Sequence, residues 1–272
     1  MFSRKGGIIM SEKAPVRIKS LNKAIEILNI IAKNRGTASL TEIAQISGYP
    51  PSTVYGILST LRENGVVEQP PEDGKYCLGK RLFEWGMLVS SVQQAISTAH
   101  PVMEEISRKS GESVLLSALD GTEALIIDYV EAYIGLSVAA KPGSRMPLTA
   151  TSQGKIFLAH MPPSEVRRII KQVGYKNYTP HTIDNDEKLF QNLTLIREQG
   201  YSIEDGEFRI GLRSVSAPIY AIGGNVKYAL TMVGMFRRVT SKEFEKAINL
   251  VVSAAGRISL SMGYRGDKSK EG

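Results

Sequence analysis

Apolar residues recur at helical spacing through the first third of the chain and alternate with polar ones through much of the remainder. In "GYPPSTVYGILSTLRENGVV", residues 48–67, Val54, Ile57, Leu58 and Leu61 fall at i, i+3, i+4 and i+7, the stripe of one buried helix face. Pro50 and Pro51 fit before or at its first turn, where a missing N–H costs nothing, and Gly65 suits its C-terminal end. Upstream, Leu21, Ala24, Leu28 and Ile31 predict a helix capped by Ser20 and stopped by Gly36. Ser39 and Glu42 have capping-box spacing ahead of Ile43, Ala44 and Ile46, with Gly48 as the stop. Two short helices joined by a glycine-containing turn make a helix-turn-helix pattern. The following "GVVEQPPEDGKYCLG" predicts a strand, a turn and a return strand, the wing of a winged helix.

From Lys80 to about His100, Leu82, Trp85, Leu88, Val89 and Val92 form another helical stripe, and Pro101 predicts a break before a helix holding Val102, Met103 and Ile106. That stripe either packs on its own domain or pairs with a second copy. After Gly111 the period becomes strand-like. "SVLLSALDGTEALIIDYV" predicts a hairpin around Asp-Gly, "GLSVAA" a further strand, and "SVSAPIYAIGGNVKYALTMVGMF" two strands joined at Gly223–Asn225. Helices are predicted over 152–160, 163–173, 185–199 and 241–262. The fold class is therefore α+β with a largely antiparallel sheet. Its expected divisions are a flexible basic arm (1–16), a winged helix-turn-helix (17–79), a linker helix (80–99), the α+β domain (100–264) and a disordered charged tail (265–272).

Composition supports this picture without sharpening it: 272 residues with 42% hydrophobic and 22% charged positions can build two ordinary cores. Charge distribution adds more. Of the formal net charge of +7, residues 1–19 carry +4, while residues 20–80 balance to zero. The arm is therefore either a solubilising tail or a segment that reaches DNA phosphates or a minor groove. No run approaches the length of a membrane span and the apolar stretch in the first ten residues is too short for a signal peptide, so a cytoplasmic protein with no membrane partner is expected. The single Cys77 excludes an internal disulfide, and His100, His160 and His181 lack metal-ligand spacing. No metal or cofactor is expected.

Candidate chemistry lies in three places. On the helix from Pro51, the buried stripe leaves Ser52, Thr53, Tyr55, Gly56 and Arg62 facing outward, where first-turn residues of a second helix meet base edges and phosphates. "TATSQGKIF" fails as a phosphate loop, because Thr149 and Ile156 stand where a glycine and a hydroxyl are required. Its polar run nonetheless opens a helix, whose free N–H groups suit a carboxylate or phosphate, or simply a hydroxyl cap. In "YSIEDGEFRIGLRSVSAPIY", Glu204, Asp205 and Glu207 lie near Arg209, Arg213 and Ser214 without a histidine, a cysteine or a G-x-S-x-G elbow. A polar loop lining a ligand pocket fits that stretch better than catalysis. The residues alone thus leave open a DNA-binding regulator, an enzyme acting on a small organic acid, and a ligand-sensing module that docks on another protein.

Six stretches taken together resemble the IclR family of transcriptional regulators: "SLNKAIEILNII", "SLTEIAQISGYPPSTVYGILSTLRENGVVE", "YCLGKRLFEWG", "PGSRMPLTATSQGKIFLA", "GYSIEDGEFRIGLRSVSAPIY" and the final "MGY". The resemblance covers about Arg17 to Gly263. It implies a winged helix-turn-helix, a linker helix and a GAF-like effector-binding domain, assembled as a homodimer or homotetramer. Such a protein is not an enzyme but a regulator, expected to repress. It binds a palindromic double-stranded DNA operator and a small effector, a carboxylate. Carried over by position, the effector pocket draws on Ser152, Gln153, Glu204, Ser214, Thr231 and Val233, with Leu212 and Val138 as apolar wall. DNA contacts fall to Arg17, Lys19, Thr41, Ser52, Thr53, Tyr55, Gly56, Arg62 and the wing residue Lys75. The sequence departs from the family pattern at Pro51 and Gly56, where lysine and arginine are usual, and at Val233, where serine is common. The first two departures shift DNA contact toward the arm, Arg62 and Lys75, and the third makes the pocket less polar.

Overall fold

The computed structural model describes residues 18–34, 36–72, 74–132, 141–236 and 239–266, which divide between a unit ending at Val89 and a unit starting at Ser90. The N-terminal unit runs α1 (Lys19–Lys33), β1 (Thr37–Ala38), α2 (Leu40–Ser47), α3 (Pro51–Glu63), β2 (Val67–Glu68), β3 (Tyr76–Leu78) and α4 (Lys80–Met87). Its small antiparallel sheet has the order β1-β3-β2. The capping box of α2 is complete: Ser39 Oγ accepts from the Glu42 N–H, and Glu42 accepts from the Ser39 N–H. Gly48 then turns the chain at φ +70°, a left-handed conformation that glycine adopts without strain. Val54 and Leu58 of α3 join Ile27, Ile31 and Ile43 in the core, so the predicted stripe faces inward.

Two expectations in this unit change. Helix α1 begins at Lys19 after Ile18, with no side-chain cap from Ser20, and Leu21 is exposed. The buried face is Ile27, Ile30 and Ile31, in the C-terminal half of the helix, where they join Ile43, Val54 and Leu58 in one cluster. Strand β1, too short to show a period, is recruited by pairing with β3.

The C-terminal unit comprises α5 (Ser90–Ser110), β4 (Ser113–Asp120), β5 (Glu123–Val130), β6 (Arg145–Pro147), α6 (Ser152–Ala159), α7 (Pro163–Val173), α8 (Asp186–Gln199), β7 (Ser202–Asp205), β8 (Arg213–Tyr220), β9 (Val226–Gly234) and α9 (Lys242–Ser261). Its six strands form one antiparallel sheet of order β6-β5-β4-β9-β8-β7. The α+β class holds. The single linker helix does not: the chain breaks after α4 at Leu88, and α5 continues through Pro101. Proline there forfeits one helical hydrogen bond, which burial of Ala95, Ala99, Met103 and Ile106 against the sheet and α9 offsets. On α4, Trp85 is exposed, as are Leu88 and Val89 beyond it, so this stripe is not covered by its own unit. Strand β7 arises where the sequence suggested a polar loop, β6 was not anticipated, and "GLSVAA" lies outside the described residues.

Alternation along the strands sorts the sheet into two faces. Val114, Leu116, Val215, Ala217, Ile219, Leu230 and Met232 point into one core with α5 and α9. Their neighbours Leu115, Ser214, Ser216, Ala229, Thr231 and Val233 therefore face the other way, toward the side of the sheet where α6 and α8 pack. Polar residues on that face lie beside one another by register: Glu204 opposite Ser214, Ser214 opposite Val233, and Ser216 opposite Thr231.

Candidate functional site

The N-terminal unit presents a surface. Ser52, Tyr55, Gly56 and Arg62 are exposed on α3, Thr53 is half-buried, and Thr41 and Lys19 are exposed on α2 and α1. Arg62 is not free to roam, since it donates to Gln69 Oε1 at 3.0 Å while Gln69 donates to the Gly74 carbonyl at 2.8 Å, tying α3 to the wing. Lys75, half-buried just before the return strand, helps hold the Glu42 carboxyl below the usual range, after the larger effect of the Ser39 hydrogen bonds. Arg17 lies outside the described residues.

The C-terminal unit presents a cavity of about 240 Å³ on the second face of its sheet. Six of the eight pocket residues expected from the sequence line it: Gln153, Glu204, Leu212, Ser214, Thr231 and Val233. Ser152 does not; it is fully buried behind the wall and bonded to Ser214. Val138 lies outside the described residues. Sequence reasoning missed Leu115, Thr151, Ser144, Arg145, Met146, Phe208 and Arg209. Alternation against Val114 and Leu116 would have found Leu115, and proximity to the acidic cluster would have found Phe208 and Arg209.

Helix α6 sets one side of this cavity. Its eight residues are all buried, and Thr151 caps it by accepting from the Gly154 N–H at 3.2 Å. Helix geometry leaves the N–H groups of Ser152 and Gln153 without intrahelical acceptors. Gly154 is demanded by contact, because a Cβ there would sit 2.4 Å from the Leu148 Cα. Lys155, the lysine of the rejected phosphate-loop pattern, points into the interior. Its ammonium, fully buried, donates to the Ile203 carbonyl at 2.8 Å and to Glu207 Oε1 at 2.5 Å.

The polar floor of the cavity is a line of hydroxyls ending at a carboxyl. Glu204 Oε1 accepts from the Phe208 N–H at 3.1 Å, and its Oε2 accepts from Ser214 Oγ at 3.1 Å. Ser214 meets Ser152 at 2.7 Å, Ser216 donates to Ser152 at 2.7 Å, and Ser216 meets Thr231 at 2.8 Å. Burial pushes the Glu204 carboxyl up to about 7; nearby Glu207 adds to this, while the Phe208 and Ser214 bonds and Lys155 oppose it. Burial raises Glu207 too, against the pull of Lys155. At the mouth, Arg145 is held by Asp120 and by Glu123 at 3.6 Å, while exposed Arg209 lies over the Phe208 ring at 5.7 Å. Leu115, Met146, Leu212 and Val233 supply apolar wall. Such a site can hold a small molecule with one apolar body and one polar end. Among the described residues no group of histidine, cysteine, aspartate or glutamate is arranged to hold a metal ion, and no helix is long and apolar enough to cross a membrane.

Two family models match the chain: the IclR helix-turn-helix domain over residues 20–71 and the bacterial transcriptional regulator IclR C-terminal over residues 87–260. The transcriptional repressor IclR of Escherichia coli (strain K12) is 30% identical over 257 residues, 94% of each chain. Among solved structures, the Thermotoga maritima IclR aligns with a TM-score of 0.72 at 32% identity, covering 90% of this chain and 99% of its own. An IclR homologue from Microbacterium hydrocarbonoxydans, complexed with 4-hydroxybenzoate, aligns with a TM-score of 0.82 at 24% identity over 90% of this chain and 99% of its own, a likeness of fold.

Proposed function

The chain belongs to the IclR family of bacterial transcriptional regulators, and from that premise we propose that it represses transcription from a near-palindromic operator under control of a small carboxylate bound in the cavity. The observation that carries the DNA half is α3: a buried stripe anchors the helix while Ser52, Thr53 and Tyr55 stay available in its first two turns. In this reading those side chains and Gly56 meet base edges and backbone in the major groove, with Lys19, Thr41, Arg62, Lys75 and Arg17 on phosphates. Two copies of α3 would read half-sites roughly 34 Å apart, one DNA turn. The uncovered apolar stripe from Trp85 to Val89 supports pairing of two chains. The protein acts here as a sensor and turns nothing over; Glu204, Gln153, Ser214 and Thr231 orient the effector, and Leu212 and Val233 pack on its body.

Fluorescence anisotropy with DNA from immediately upstream of its own gene, against a scrambled duplex, tests the reading. A preference of about 10³-fold or more is expected. A panel of small carboxylates should then contain one that changes operator affinity by about 5- to 150-fold, the usual range of allosteric coupling. Equal, steeply salt-dependent binding to both duplexes would sink the DNA half. Conversion of any acid during incubation would return the enzyme reading.

A further inference from the structure

Two aromatic rings meet at the cavity without belonging to a core. Phe208 lines the cavity, whereas Tyr178 lines a smaller one of about 90 Å³, and the ring centroids lie 5.0 Å apart with the planes inclined at 61°, an attractive edge-to-face arrangement. The two cavities are neighbours along β6: Arg145 and Met146 line the larger, Pro147 and Leu148 the smaller. Phe208 arrives on the turn after β7, with its N–H donating to Glu204 Oε1 at 3.1 Å. Tyr178 arrives from the segment between α7 and α8 and shares the smaller cavity with Glu123 of β5 and Pro147 of β6. Because β6 and β7 are the outermost strands of the sheet, the ring pair reaches from one edge to the other. Hydroxyls pin the two segments together. The Tyr178 N–H donates to Thr182 Oγ1 at 3.1 Å, Thr182 Oγ1 donates to the Glu207 carbonyl at 2.6 Å, and Thr179 Oγ1 donates to the Gly206 carbonyl at 2.7 Å. Among the described residues neither ring joins a buried cluster of this unit, and Tyr178 is 39% exposed, so core formation does not explain the pair.

We infer that Phe208 and Tyr178 form a clasp that shuts the cavity between the two sheet edges and limits its ligand to compact carboxylates, with Phe208 the specificity-determining residue and Tyr178 the positioning residue behind it. The ligand half rests on the effector-site reading above; the closure itself does not. A cavity of about 150 Å³ holds benzene, so about 240 Å³ holds a single ring with its carboxylate. A second ring in line with the first must drive Phe208 against Tyr178 toward the smaller cavity. Forcing extra volume into packed space is costly enough to lower affinity about 5- to 150-fold. Tyr178 does not line the larger cavity, so it acts on this selection only through the ring contact. Its hydroxyl has no hydrogen-bond partner among the described residues, and Tyr178→Phe therefore keeps the clasp.

Closure is tested without any ligand, in the full-length chain carrying Cys77→Ala, which removes its only cysteine, and Val233→Cys, which places a thiol on the cavity wall. The rate of labelling by N-ethylmaleimide reports how often the clasp opens. Tyr178→Ala and Phe208→Ala should each speed labelling about 2- to 10-fold, the strength of one aromatic pair, whereas Tyr178→Phe should leave the rate unchanged. Tyr178 lies outside the core clusters, so its truncation should leave the urea midpoint in place, and faster labelling then reports the clasp instead of unfolding. Unchanged rates in both alanine variants would overturn the closure. Benzoate and para-phenylbenzoate then probe selection. The wild-type protein should favour benzoate by about 5- to 150-fold, and both alanine variants should lose most of that preference while Tyr178→Phe retains it. Equal affinities in the wild type, or a preference that survives Tyr178→Ala, would overturn the limit on ligand size. Faster labelling with neither acid bound by any of these proteins would support the clasp and count against the effector-site reading.

Discussion

Helix α3 and the cavity hold their polar side chains in opposite ways. On α3, Ser52 and Tyr55 have solvent on them and make no side-chain bond that stabilises the fold, since Val54 and Leu58 on the opposite stripe do that work. In the cavity, Glu204, Ser214, Ser216 and Thr231 are buried and bonded to one another. A surface can be read by a partner as it stands. A buried polar line must satisfy itself first, because each unpaired member costs about 1–3 kcal/mol. Function and stability are therefore separable in the first region and entangled in the second, and substitutions should divide along that line.

The sharpest division is expected at Lys155. Replacing it with methionine keeps the apolar length but leaves buried Glu207 beside α6 without its cation, and Glu207 Oε2 already has no hydrogen-bond partner among the described residues. Breaking a buried pair from one side costs about 3–5 kcal/mol, which urea unfolding at neutral pH should show. Lower pH should return part of that loss as Glu207 takes up a proton. A loss under about 1 kcal/mol would mean that the cavity's support is not tied to the stability of its unit.

Glu204 entangles the two through pH. Its folded-state carboxyl titrates at about 7 against an ordinary 4.5, so between those values the folded chain binds more protons than the unfolded one. Stability from this group is full below about 4.5 and is lost as pH rises to about 7. Relative to Glu204→Gln, the wild-type protein should lose on the order of 2–3 kcal/mol between pH 4.5 and 7.5. Burial of Glu207 acts in the same direction and persists in the variant, so the comparison isolates Glu204. Parallel stability curves for the two proteins would show that Glu204 is solvated in solution.

The two regions also differed in how plainly the sequence announced them. The stripe of α3, the Ser39–Glu42 box and the Asp120-Gly121 hairpin are local signals, each complete within about ten residues, and the structure repeats them. The cavity was legible only in part, through Glu204, Ser214, Thr231 and Val233, which alternation and resemblance place on one sheet face. Its mouth was not, because Arg145 comes to it through the pairing of β6 with β5 and Phe208 through the turn after β7, contacts with no local period. Ser152 was expected at the ligand and lies one layer behind it, since the residue that starts a fully buried helix has no open side. Pro101 was expected to break a helix that tertiary burial carries past it.

On α3 the same logic predicts loss of binding without loss of fold. Thr53→Ala and Tyr55→Ala should each weaken operator binding by about 1–3 kcal/mol, close to tenfold or more by anisotropy. Urea midpoints should shift by no more than about 0.5 kcal/mol of stability, because neither side chain belongs to the buried stripe. Wild-type affinity in both would remove this face from the interface, whereas joint loss of binding and stability would make α3 resemble the cavity.

Gly56 gives the smallest and most specific contrast. It sits inside α3 with nothing within 4 Å of an ideal Cβ, so alanine there meets no clash in the free protein. Glycine within a helix costs roughly 0.5–1 kcal/mol relative to alanine, and Gly56→Ala should raise unfolding stability by about that amount. Where backbone approaches a ligand closely, however, glycine is the residue that leaves room. If this turn of α3 meets the major groove, the added methyl group should lower operator affinity even as it stabilises the helix, moving the two measurements in opposite directions. A gain in both would put Gly56 on an open flank of α3, and the DNA contact would then rest on the flank that carries Ser52, Tyr55 and Arg62.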